Sequence, residues 1–466
     1  MPFIGRKDEL ALLEDCYASP RAQLFILYGR RRVGKTELLR EFIMGKEHVF
    51  CSAKEAPSEA QLASFSKEMF SAGAPAGRYL SSYQSWEQAF EDIPNLPFAG
   101  KKLVVIDEFP YLARSNSSVP SILQNAWDAL LSRKDVMVIL CGSSMSFIEK
   151  EVLSEKSPLY GRATAILKLL PLPYRDAAAF FPNWSLEDKA AAHCILGGIP
   201  HYLLQFDPQR SLADNIRAQI LRRGAPLYSE VEFLMRQEFR ETATYNAVVQ
   251  AVALGATQLN DIAQKTMLPA KSLSTYIKNL IEVGILQREF PVGVGLQEQG
   301  KPQRGLYRIC DNFFRFWYAY VYGNHSALEI GDAAGVWEHD VAPTLNAFCA
   351  TPFEDMCRTW TLHANANGML PIRCSDVGRW WNDSTEIDVL GLSKGGKKAV
   401  AGECRFKNSE VDSRVLAKLQ AKAGSLNAEV ALWCLFSRGG FTEALRKRCA
   451  GREDIRLLGL EELYQQ

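Results

Sequence analysis

No two of the eleven cysteines are spaced as a C-x-x-C pair, and that absence excludes a zinc ribbon. Scattered thiols of this kind read as reduced, several of them in strand or helix cores, and point to the cytoplasm. No apolar run approaches the length of about eighteen residues that a membrane span needs. The first residues carry no charged-then-apolar leader pattern, so no signal segment is expected. Neither sign of charge is in excess. Fifty-four Lys and Arg face 53 Asp and Glu, a net charge of +1, so there is no general basic surface and any nucleic-acid contact must be a local patch. Internal repeats and long low-complexity tracts are also missing, and the most loop-like stretch of the first half is Ser71–Ser82. What remains is ordinary apolar content over 466 residues, enough for a packed core in each of two to four domains.

Against that background one stretch is distinctive. Within "LFILYGRRRVGKTELLREF", Gly29 to Thr36 reads G-x-x-x-x-G-K-T, the phosphate-loop pattern. Leu24–Tyr28 before it has the character of a buried parallel strand, and the segment after it has helical spacing. A glycine-rich turn lets backbone N–H groups converge on a phosphate, and the helix start adds partial positive charge. Lys35 is expected on the β- and γ-phosphates of ATP and Thr36 on a magnesium ion. Arg30, Arg31, Arg32 and Val33 are the variable positions, and with Gly29, Gly34 and Glu37 they complete the expected nucleotide-binding set.

A second strand end supplies acids. Leu103–Ile106 lead into Asp107 and Glu108. Asp107 is expected to bind magnesium through water, and Glu108 to polarise the attacking water, which makes hydrolysis the expected outcome. A third apolar run, Val136–Leu140, ends in Gly142-Ser143-Ser144, where Ser143 or Ser144 is placed to sense the γ-phosphate. Arg162 follows a glycine and is a candidate γ-phosphate contact, within the chain or from a neighbouring copy in a homo-oligomer; a surface ion pair is the alternative.

These motifs, with "FIGRKDELALLEDCY" at the start, "SPLYGR" and "GGIPHYL", come in an order and at spacings that resemble the archaeal-type ATPase family of the AAA+/STAND class. The likeness covers roughly residues 1–230. It implies that Phe3–Arg6 and Glu9-Leu10 pack near the adenine, and that Pro200 of Gly198-Ile199-Pro200 closes over the base.

Residues 240–310 change character. Three helix-like segments and a polar hairpin follow one another, which resembles a winged helix-turn-helix. Lys271, Ser272, Ser274, Thr275 and Lys278 fall on one exposed side of the third helix, with Lys301 and Arg304 in the wing. The lysines suit DNA phosphates; a spacer or protein-contact role is the alternative. The aromatic segment Tyr307–Asn324 has helical spacing and reads as a buried linking helix.

The last part holds a second set of acids. Glu354 lies in a helical segment, Asp388 in a strand beginning near Glu386, and Glu403 in the next strand, with Arg405 and Lys407 alternating onto its face. An acid on a helix, an Asp on one strand and E-x-K on the next is the metal-site logic of the PD-(D/E)xK nucleases, in which carboxylates hold magnesium and a cation stabilises developing charge. Glu354, Asp388 and Glu403 are the expected metal ligands, and Glu403, Arg405 and Lys407 the catalytic group, beside Glu108 and Lys35 in the ATPase. Glu386 shares the Asp388 face and is a further candidate. Residues 310–460 also resemble the domain of unknown function that often follows archaeal-type ATPase domains. The departure is Arg405 at the lysine position; arginine keeps the charge but is delocalised and fork-shaped.

The expected architecture is therefore α/β and multidomain. It comprises a P-loop NTPase core with a parallel sheet over 1–170, a helical lid over 171–235, a winged helix over 236–308 and a restriction-endonuclease-like α/β domain over 309–466. The function expected from it is an ATPase, with ATP and magnesium as cofactors, coupled to a DNA-binding and DNA-cleaving domain, ATP turnover shifting the winged helix against the nuclease-like domain. The alternative is an ATP-switched signalling or scaffold protein that binds DNA or protein without cutting.

Overall fold

Strands covered on both faces are apolar along their whole length. Two strands fit that description, β1 (Gln23–Tyr28) and β4 (Val136–Gly142), and every residue of both is buried. In the computed structural model, which describes residues 3–295, 298 and 305–465, they join β2 (His48–Ser52), β3 (Lys102–Asp107) and β5 (Ala165–Lys168). The order is β2-β3-β4-β1-β5, and every pairing is parallel. β4 thus separates the strand that feeds the phosphate loop from the strand that ends in Asp107. The C-terminal ends of these three strands lie side by side, where an open α/β sheet places its ligands. The core on one side of the sheet includes Phe65, Trp86, Phe90, Phe109, Leu123 and Trp127.

Two compact units divide the chain. The first runs through Leu172 and takes in Ile199–His201; the second comprises Pro173–Gly198 and everything from Tyr202 onward. The lid, winged-helix and C-terminal segments expected from the sequence therefore fall in one unit.

Within the second unit, helices Thr242–Ala253, Leu259–Thr266 and Ala270–Glu282 precede an antiparallel pair, β6 (Leu286–Glu289) and β7 (Leu306–Ile309). Lys271, Ser272, Ser274, Thr275 and Lys278 are exposed on the third helix, while Leu273, Ile277 and Leu280 are buried. Lys301 and Arg304 lie outside the described residues. The aromatic stretch is not one helix. Tyr307–Ile309 belong to β7, and the helix starts only at Asn312, where the Asp311 side chain accepts from the Phe314 amide at 3.0 Å and caps it.

A long helix, Leu345–Ala366, then leads into a mixed sheet of order β12-β11-β10-β9-β8. Its strands are β8 (Cys374–Trp381), β9 (Glu386–Ser393), β10 (Lys398–Arg405), β11 (Glu429–Ser437) and β12 (Ile455–Leu458). β8, β9 and β10 are antiparallel neighbours, whereas β10, β11 and β12 are parallel. Helix Ser413–Ala423 connects β10 to β11 and buries Leu416 and Leu419, which pack with Ile387, Leu390, Ala399 and Ala401. Val292, just after β6, joins that same core.

Candidate functional site

The phosphate loop is held by its glycines. A Cβ at Gly29 would stand 2.5 Å from the Leu169 carbonyl oxygen, so only glycine lets β1 turn here against the end of β5. Gly34 has φ +95° and caps helix Lys35–Ile43, a left-handed position that suits glycine. Arg32 also takes a left-handed backbone, φ 69°, and its Nη1 lies 2.7 Å from His201 Nε2. Pro200 Cγ is 3.6 Å from where a Gly34 Cβ would be. The buried Arg6 donates from Nη2 to the Val33 carbonyl at 3.1 Å and from Nη1 to Glu9 at 2.8 Å. The opening segment thus braces the loop.

Lys35 is 6% exposed. Its Nζ donates to the carbonyls of Gly29 and Arg30 at 2.9 and 3.0 Å. Burial pulls its pKa down, because an ammonium loses hydration there. Glu37 pairs with Arg40 on the exposed face of the same helix at 2.9 Å. Arg31 reaches the Tyr111 hydroxyl at 3.3 Å.

Thr36 Oγ1 donates to Asp107 Oδ2 at 2.9 Å, joining the two expected magnesium ligands. Hard hydroxyl and carboxylate oxygens at this spacing are a donor set that fits Mg2+. Glu108 sits next to them with φ 54° and ψ 39°, a left-handed conformation that a glutamate adopts at a cost. Its Oε2 accepts from Ser143 Oγ at 2.9 Å and from the Ser143 amide at 3.4 Å. Ser143, just past the end of β4, is thereby in touch with Glu108. Ser144 accepts from Arg114 at 3.2 Å instead. Arg162 is engaged elsewhere: it forms a two-pronged pair with Asp128, Nε to Oδ1 at 2.9 Å and Nη2 to Oδ2 at 2.7 Å.

A parallel sheet whose strand order separates loop and acid by one strand, with lysine, threonine, aspartate and glutamate so arranged, defines a P-loop nucleoside triphosphatase. Residues 3–206 match the family described as an ATPase domain predominantly from Archaea. Residues 317–416 match the family of archaeal and bacterial proteins of unknown function. An uncharacterized protein of Methanocaldococcus jannaschii is 32% identical over 407 residues, 87% of this chain and 88% of its own length. The chain belongs to this archaeal-type ATPase family, with the ATPase domain followed by the domain of unknown function, and it is an ATP-binding ATPase. Among solved structures, the Walker-type ATPase of Pyrococcus abyssi has a TM-score of 0.49 at 20% identity, covering 68% of this chain and 96% of its own. The Aeropyrum pernix ORC2 protein has a TM-score of 0.43 at 12% identity, covering 70% and 94%.

The second set of acids gathers at one end of the mixed sheet. Ligand oxygens of Glu354, Glu386 and Asp388 lie within 4.8 Å of one another. Asp388 Oδ2 accepts from the Cys404 amide at 2.8 Å. Burial, and then the neighbouring Glu403, push Asp388 up to about 6. Burial, and then Asp388, push Glu354 up to about 7. Carboxylates crowded in this way favour a shared cation over three separate charges.

Two residues expected in this set stand apart from the convergent three. Glu403 is 1% exposed and is not one of the three convergent acids. Its oxygens are taken by cations: Arg405 Nη2 donates to Oε1 at 2.6 Å and Lys422 Nζ to Oε2 at 2.8 Å. Lys407 is exposed and lies beyond the end of β10 at Arg405. The ammonium at Glu403 is that of Lys422, from helix Ser413–Ala423. The sequence reading missed it. The signal available was a lysine in the last turn of an amphipathic helix that begins soon after the E-x-R strand.

Proposed function

We propose that the chain couples ATP hydrolysis in the first unit to a metal-dependent, DNA-cleaving site in the second. Carrying this reading is the convergence of Glu354, Glu386 and Asp388 oxygens within 4.8 Å, beside a lysine that touches Glu403 at 2.8 Å. The ATPase half needs Thr36 and Asp107 to hold Mg2+ on the nucleotide, Lys35 to leave its loop carbonyls for the phosphates, and Glu108 to orient water. Arg162 would join them as a γ-phosphate contact only after leaving Asp128, and a neighbouring copy is an alternative source for it.

In the second unit the three carboxylates would hold Mg2+ or Mn2+, all being hard oxygen donors. When bound, such an ion polarises a phosphodiester and lowers the pKa of a water. Glu403 fixes Lys422 and Arg405, which would face the phosphate as charge stabilisers. The exposed Lys271 and Lys278 of a winged-helix-like segment supply phosphate contacts on DNA. A cytoplasmic location accords with the free cysteines.

A second reading keeps DNA or protein binding without cleavage. It is favoured by Arg405 standing at the lysine position with its guanidinium on Glu403. The experiment that separates the two is cleavage of plasmid and single-stranded DNA with Mg2+ or Mn2+, with and without ATP. Wild type is compared with Asp388→Ala and Lys35→Ala. Cutting that disappears in Asp388→Ala supports the nuclease, and the Lys35→Ala lane tells whether ATP gates it. Intact ATP turnover with no cutting under either metal rejects the nuclease in favour of the binding module.

A further inference from the structure

Glu289 and Arg308 of the β6–β7 hairpin are charged residues that the chemistry above does not use. Arg308, in β7, makes a two-pronged pair with Asp355: Nη1 to Oδ2 and Nη2 to Oδ1, each at 2.9 Å. Asp355 Oδ1 also accepts from Arg358 Nη2 at 2.7 Å. Arg358 then donates from Nη1 to the main-chain carbonyl of Asp388 at 2.8 Å and lies 3.5 Å from Glu354 Oε2. On the other side, Glu289 closes β6. Its Oε2 is 3.6 Å from Arg308 Nε and 3.8 Å from Arg379 Nη1. Arg379 Nε donates to Glu386 Oε1.

The convergent set is thus linked to the hairpin along two paths: from Arg308 through Asp355 and Arg358 to Glu354 and the Asp388 backbone, and from Glu289 through Arg379 to Glu386. The hairpin is also fixed by its backbone. The Val292 amide donates to the Arg379 carbonyl at 2.9 Å, and the Gly293 amide to Asp376 Oδ2 at 2.9 Å.

An ion-pair network that only fastened the hairpin to the sheet would be a poor source of stability, because desolvation offsets most of the attraction between buried charges. What such a network does well is fix geometry. Guanidinium forks are planar and directional, and partners that hold metal ligands set their spacing. Three crowded carboxylates repel one another, so something must hold them at cation-binding separation before the cation arrives. We propose that Glu289 and Arg308 are positioning residues for the acidic cluster, and that the hairpin sets the spacing of Glu354, Glu386 and Asp388 for a divalent cation. This rests on the reading of those acids as a metal site.

The test is Mn2+ titration of the full chain by calorimetry, with electron paramagnetic resonance of the bound ion. The variants are Glu289→Gln, Arg308→Met and Arg308→Lys, with Asp388→Ala marking loss of the site. Circular dichroism checks that each is folded. Removing an outer-shell partner typically weakens a metal site by about 10–100-fold. Weakening of that size is expected in Glu289→Gln and Arg308→Met, with partial recovery in Arg308→Lys and a changed Mn2+ spectrum. A merely structural role would lower the melting temperature and leave the affinity of the folded fraction alone. If Arg308→Met does not fold, Glu289→Gln decides. Wild-type binding that Asp388→Ala abolishes, with affinities within twofold of wild type in the folded hairpin variants, overturns the hairpin's role alone. Absence of any Asp388-dependent Mn2+ binding in wild type overturns the metal-site reading and this proposal with it.

Discussion

Glu108 combines three constraints in one residue: a left-handed backbone, a hydrogen bond from Ser143 and a place beside Asp107. Glu108→Gln keeps the shape and the Ser143 contact but loses the charge that orients water. ATP binding is expected within a few-fold of wild type and turnover reduced by about 100-fold or more; equal turnover would remove Glu108 from the hydrolytic role. Lys35→Ala deletes the phosphate-binding charge, and ATP turnover is expected to vanish. The acids of the second unit make a pH prediction. Glu354 and Asp388 sit near 7 and 6, above the unfolded range of about 4. The metal-free fold therefore keeps protons that the unfolded chain releases. That contribution to stability is complete below about pH 4 and is lost as pH rises through 6 and 7. Melting curves from about pH 4 to 7.5 should slope less steeply in Glu354→Gln than in wild type. Superimposable slopes would show that Glu354 is not held protonated.

Elements explain which parts of this arrangement could be read from the sequence. The phosphate loop was legible because its function needs contiguous residues, and Gly29, Gly34, Lys35 and Thr36 carry strict local demands. Glu354, Glu386 and Asp388 were legible because a helix and alternating strand positions predict shared faces. Lys422 was not read, since the pattern of an amphipathic helix with a lysine in its last turn does not say where that helix packs on the sheet, and its place at Glu403 depends on that packing. The start of the aromatic helix was misplaced for a related reason. Leu306–Ile309 pair with β6, and that partner overrides the helical spacing. Gly29→Ala tests the junction of β1 and β5. The added methyl meets the Leu169 carbonyl oxygen at 2.5 Å, so the loop or the strand end must move. A loss of about 2–3 kcal/mol, read as a lower melting temperature together with weaker ATP binding, is expected. Unchanged melting would mean that the β5 end yields freely.

Across the whole molecule, the chain leaves the first unit at Leu172 and returns to it for Ile199–His201. Those three residues bring Pro200 to Gly34 and His201 to Arg32. His201→Ala, in the full chain, is expected to loosen the loop and weaken ATP binding about fivefold, the equivalent of one hydrogen bond of roughly 1 kcal/mol. An unchanged dissociation constant would show that the Arg32–His201 contact does not support the loop. Val292, just after β6, shares a core with Ile387 and Leu390, and both segments fall in the second unit. The sheet itself carries a practical consequence. Because β9 and β10 run antiparallel, the acids at the start of one and the end of the other meet at one end of the sheet. The turn joining the two strands, with Gly395 and Gly396 open to solvent, lies at the opposite end. A reporter dye or affinity tag inserted there would ride on the second unit without altering the spacing of Asp388 and Glu403, which makes that turn the natural handle for following the second unit in solution.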